Sequence, residues 1–141
     1  MVRRSRQLLV VVLAALVVVV AAPAAARADG GNDVRVTRSC SAGSTVRLRV
    51  RERDGDLLRV DVDLQAARGG TAWIVTIVHE RRVALRATQR SGAGSHSLSV
   101  RVAIPDWPGR NTVTVRALGP RGEICRAAAT LPEADVGRDD G

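Results

Sequence analysis

Lysine, phenylalanine and tyrosine are missing from this 141-residue chain, while tryptophan, histidine and cysteine occur twice each. Without Phe or Tyr, a core has to be assembled from Val, Leu, Ile and Ala, and the aromatic platforms on which single-stranded bases stack are excluded, so no nucleic-acid partner is expected. His79 and His96 have no spacing that resembles a local ligand motif, which leaves a metal centre without a basis and no cofactor implied. There is no G-x-S-x-G and no pairing of a free thiol with a histidine, and the close carboxylates Asp54, Asp56, Asp61 and Asp63 fall on solvated positions that do not raise a pKa as a general acid requires. An enzyme is therefore not expected. Helical periodicity is lacking too: no window after Val34 sustains a 3.6-residue repeat.

One long uncharged run is present. Arg3, Arg4 and Arg6 precede the stretch from Gln7 to Ala26, rich in Val, Leu and Ala, and Ala26-Arg27-Ala28 fits a small-x-small cleavage pattern. Residues 1–28 are expected to be a signal peptide, with the mature chain starting at Asp29. A membrane association is expected only if that segment stays uncleaved, since the run is nearly long enough to cross a bilayer. Residues 29–33 read as a short linker, 34–131 as one domain, and 132–141, short of apolar residues and rich in Asp and Gly, as a disordered acidic tail.

In an exported chain two cysteines form one disulfide, here Cys40 with Cys125. Closing so long a loop is worth about 4 to 5 kcal/mol in the chain-entropy model, which matters for a core without Phe or Tyr.

From Val34 the chain alternates in period two between turn clusters, which predicts an all-β antiparallel two-sheet sandwich of seven to eight strands. Val46, Leu48 and Val50 alternate with Arg47, Arg49 and Arg51; Leu58, Val60, Val62 and Leu64 alternate with Arg59, Asp61 and Asp63. Parity requires an odd loop between them, and a three-residue turn Arg53-Asp54-Gly55 would set Val50 opposite Leu58 and Arg47 opposite Asp61. Residues 71–79, TAWIVTIVH, are apolar on both faces and should be central. After a turn at Glu80-Arg81, Val83, Leu85 and Ala87 are expected to share a face. Residues 111–126 read as the last hairpin, turning at Gly119-Pro120-Arg121-Gly122 and carrying Cys125 on its return.

The mature chain places a Cys just after its first strand and a Trp on its central strand, and ends in the form GxNTVTVRAxxPxGExC. In these respects it resembles uncharacterised single-domain secreted proteins of actinobacteria with an immunoglobulin-like or fibronectin-III-like sandwich. The resemblance implies a fold and an extracellular location, and no chemistry. The cysteines depart from the usual immunoglobulin placement on the B and F strands.

Two surface features are candidates for binding. One is Trp107, between Asp106 and Pro108, which as a rigid aromatic would anchor a partner or, more simply, close the end of the core. The other is the Arg stripe Arg47, Arg49, Arg51 and Arg59, with Arg81, Arg82 and Arg86 on another hairpin. From Val34 to Leu131 there are 17 Arg against 8 acids. The complete use of Arg for Lys fits codon bias in a G+C-rich genome, so the number of Arg alone argues no function, and cross-strand charge pairing explains part of the stripe. The expected function is a secreted, non-catalytic binding or cell-envelope-associated module whose partner is an unknown protein or an anionic envelope polymer. A secreted protease inhibitor presenting the 105–110 loop is the alternative.

Overall fold

The computed structural model describes residues 28–29 and 32–133 of the chain. The expected signal peptide, apart from Ala28, and the tail beyond Glu133 lie outside the described residues. Eight strands make up two antiparallel sheets: β2 (Asp33–Ser39), β3 (Thr45–Arg53), β4 (Leu57–Gln65) and β7 (Ser97–Pro105) in one, and β5 (Ala72–His79), β6 (Arg82–Arg90), β8 (Asn111–Leu118) and β9 (Ile124–Leu131) in the other. A two-residue strand, β1 (Ala28–Asp29), pairs with β2, so the 29–33 stretch expected to be a linker is in part a strand. Spatial order is β1-β2-β3-β4-β7 in the first sheet and β6-β5-β8-β9 in the second. If β3, β4 and β7 are taken as the A, B and E strands and β5, β8 and β9 as C, F and G, the order is that of an immunoglobulin sandwich, with β6 bonded beside C and β2 added outside A.

Period-two patterning explains why these segments are strands and which face each buries. In β3 and β4, Val46, Leu48, Val50, Leu58, Val60, Val62 and Leu64 are buried, while their neighbours in sequence point outward. β5 lies inside its sheet, between β6 and β8, as expected for a strand apolar on both faces; Trp73, Val75 and Ile77 face the core. The Trp73 indole lies against the backbone at Gly119, where a Cβ would stand 2.4 Å from the ring, so only glycine fits there.

Two details differ from expectation. The β3–β4 pairing sets Arg53 opposite Leu57 and Val50 opposite Val60, with Asp54-Gly55-Asp56 as the loop. The loop is odd, as parity requires, but the register slides by two residues. Gly55 and Asp56 both adopt positive φ, 81° and 55°, which an Asp tolerates better than most residues. The slide preserves the buried set and places two opposite-charge pairs face to face, Arg49 with Asp61 and Arg47 with Asp63, instead of one. The second difference is in β6. A register shift between Ile77 and Val78 brings Val83 beside Val78, where it is 64% exposed, while Leu85 packs against the core.

The disulfide joins Cys40 to Cys125 as expected. Because Cys40 follows β2 and Cys125 lies on β9, it links the two sheets along one open side of the sandwich. A buried carboxylate supports the same clasp: Glu123 Oε1 accepts hydrogen bonds from the backbone N–H groups of Ser44, at 2.9 Å, and Ala42, at 3.2 Å. The backbone N–H of Ile124 donates to Ser41 Oγ at 2.9 Å.

Candidate functional site

The Arg stripe assembles as the sequence suggests. Arg47, Arg49 and Arg51 on β3 and Arg59 on β4 project from the outer face of the β2-β3-β4-β7 sheet, joined by Arg35 on β2 and Arg101 on β7. What the sequence reading missed is how tightly that face is laced by three aspartates. Asp33 receives the Arg49 guanidinium in a forked contact, from Nε at 3.0 and 3.1 Å and from the terminal nitrogen at 2.5 Å, with Arg35 at 3.3 Å. The hydrogen bond from Arg49 holds the Asp33 carboxyl below the usual carboxylate range, against partial burial that pushes it up, and the charges of Arg49 and Arg35 add to the lowering. Asp61 is the hub of the second cluster. Its oxygens lie 3.1 Å from Arg59 Nε, 3.5 Å from Arg101 Nε and 3.8 Å from Arg51. Asp63 accepts from Ser99 Oγ at 2.6 Å. Arg51 stands directly opposite Arg59, and its Nε is buried without a hydrogen-bond partner among the described residues.

The other sheet differs in kind. Its four strands, AWIVTIVH, RVALRATQR, NTVTVRAL and ICRAAATL, contain no Asp or Glu. Yet the pairings Thr76 with Arg86, Thr76 with Arg116 and Arg116 with Arg126 place three guanidinium side chains in one row across its outer face. All three are exposed, and none makes an ion pair among the described residues. Half-buried Ile74, Val78, Leu118 and Ile124 and several threonines fill the spaces between them. Of this row the sequence reading singled out only Arg86; cross-strand register is the signal that would have found the rest.

Trp107 is not part of either face. It lies at the end of the sandwich, half-buried, stacked on the buried His79 with ring centroids 4.2 Å apart, and the Arg82 guanidinium lies 5.7 Å from its ring. Asn111, which sequence reasoning also overlooked, organises this end. Its Oδ1 accepts from the Trp107 backbone N–H at 3.3 Å and from His79 Nε2 at 2.8 Å. Its amide nitrogen donates to Asp106 Oδ1, Trp107 O and Gly109 O. Because Oδ1 only accepts, the His79 proton sits on Nε2. This wiring gives Trp107 the geometry of a plug closing the core. His96 stands with positive φ just before β7, whereas His79 ends β5 in the other sheet.

Among the described residues, no group of three or more His, Cys, Asp or Glu is placed to hold a metal ion, and no helix is long and apolar enough to cross a membrane. Compared with protein-family models, with curated proteins and with solved structures, the chain gives no match.

Proposed function

We propose that the protein is an exported, non-catalytic binding module that associates with anionic polymer of the cell envelope. The carrying observation is the charge of its two broad outer faces. On one, Arg35, Arg47, Arg49, Arg51, Arg59 and Arg101 outnumber Asp33, Asp61 and Asp63; on the other, arginines stand with no carboxylate on the strands at all. Such a surface concentrates polyanions near it by its field. Export is supported by the disulfide, which persists in oxidising compartments, and by the charged and apolar arrangement of the first 28 residues. The immunoglobulin-like order of the strands suits the secreted family that the sequence resembles. The half-buried, stacked Trp107 lends no support to a projecting inhibitory loop.

The test is retention of the purified protein on isolated envelope polymer and on an anionic column. Binding at low salt that falls steeply as salt rises is expected; elution in the first low-salt wash would refute the reading. Crosslinking in the native envelope fraction then identifies the polymer.

A further inference from the structure

We propose that the outer face of the β6-β5-β8-β9 sheet, through the row Arg86, Arg116 and Arg126, is the docking surface for a polymer carrying repeated phosphate groups. This rests on the polyanion-binding reading above and deepens it by naming the face and the anion.

The row has no counter-charge on its own sheet. Arg116 and Arg126 are direct cross-strand partners, and like charges placed so are destabilising. On the opposite sheet the equivalent pair, Arg51 and Arg59, shares Asp61 as a common counter-ion. No such residue exists on β5, β6, β8 or β9. The row therefore keeps its guanidinium donors available and its charge uncompensated by its own sheet. Across strands spaced about 4.8 Å apart, it extends roughly 14 Å from Arg86 to Arg126.

The chemistry of the donors selects the anion. A carboxylate holds its two oxygens in one plane, whereas each phosphate of a chain presents tetrahedrally arranged oxygens, so neighbouring forks along the row can engage successive phosphates from different directions. Thr76 and Thr114 add hydroxyl donors beside the row, Thr76 within it and Thr114 two residues from Arg116. The apolar side chains between them, Ile74 and Leu118 among them, limit water around the contacts, which strengthens each one.

The experiment measures binding of the full-length gene product, as its host exports it, to immobilised inorganic polyphosphate, to polygalacturonate as a carboxylate polymer, and to phosphatidylglycerol vesicles. Wild type is compared with R116Q/R126Q, with R116K/R126K, and with R38Q/R68Q, which removes the same charge outside the β6-β5-β8-β9 sheet. At about 0.1 M salt, R116Q/R126Q is expected to lose about tenfold or more in affinity for polyphosphate and to show a shallower salt dependence, while R38Q/R68Q loses less than about threefold. The lysine pair is expected to lose several-fold, because charge remains but the fork does not. Stronger wild-type binding to polygalacturonate or to vesicles than to polyphosphate overturns the choice of anion. Equal losses for R116Q/R126Q and R38Q/R68Q, or no loss for the former, overturn the docking face while leaving the general reading intact. If wild type binds none of the three, the general reading falls and this proposal with it.

Discussion

The two sheets share one core but handle their arginines in opposite ways. Between β2, β3, β4 and β7, Asp33 and Asp61 each gather more than one guanidinium; the strands β5, β6, β8 and β9 offer no carboxylate for Arg86, Arg116 or Arg126 to meet. The contrast shows that an excess of Arg in composition carries little meaning until cross-strand register says who stands beside whom. On the first sheet the β3–β4 register sets Arg49 against Asp61 and Arg47 against Asp63, and Asp61 also reaches Arg51, Arg59 and Arg101. On the second, threonines and half-buried aliphatics separate charges that nothing on the sheet neutralises.

The largest effect should come from cutting the covalent link between the sheets. Replacing Cys40 and Cys125 together by Ala is expected to lower unfolding free energy by about 4 kcal/mol in urea titrations, with hydrogen exchange speeding first in β2 and β9; a loss confined to one sheet would show that the clasp does not couple them. Next, Asp61→Asn strips Arg51, Arg59 and Arg101 of their shared partner and should cost about 1 to 2 kcal/mol. If it cost nothing, the first sheet would be no better compensated than the second.

A smaller effect concerns acid. The lowered folded-state value of Asp33 means that its contribution is complete at neutral pH, begins to fade as pH drops below the ordinary carboxylate value, and is lost once pH passes through the lowered folded value. Asp33→Asn should thus reduce stability at pH 7 by no more than about 1 kcal/mol and leave the mutant and wild type converging toward pH 2. Curves that stayed parallel would contradict the assignment. The smallest predicted change has the opposite sign: Arg116→Gln should be neutral or stabilise by a few tenths of a kcal/mol by relieving the clash with Arg126. Destabilisation by a full kcal/mol in thermal melts would mean that Arg116 has a structural partner.

Much of the fold was legible because burial imposes period two on strands, and this chain obeys it from Val46 to Leu64 and again from Leu98 to Ile104. The central place of β5 followed from its two apolar faces, and the disulfide from having two cysteines and an export-like N-terminus. The β3–β4 turn was off by one residue and the register by two, because parity fixes the face of a side chain but not its partner; the observed turn puts Asp56 at positive φ, which an Asp accommodates. Val83 was misplaced for a related reason, as an irregularity inside a hairpin leaves no trace in a short alternating pattern. Of the candidate site, the Arg stripe and its cross-strand pairing with aspartates were visible; the fork of Arg49 on Asp33 and the convergence of Arg51, Arg59 and Arg101 on Asp61 were not. The roles of Asn111 and Glu123 depended on loops meeting across 32 and 79 residues of chain, distances over which local pattern carries no information.

The irregular pairing of β6 also bears on self-association. Its nine residues form an open sheet edge, the kind of template onto which a strand from another molecule can add and start aggregation. Arg82, Arg86 and Arg90 punctuate that edge, and the shifted register beside Val83 bends its start out of line. A second copy approaching in antiparallel fashion would bring its own arginines against these. On this acid-free strand, like charge would therefore oppose edge-to-edge addition of a second copy.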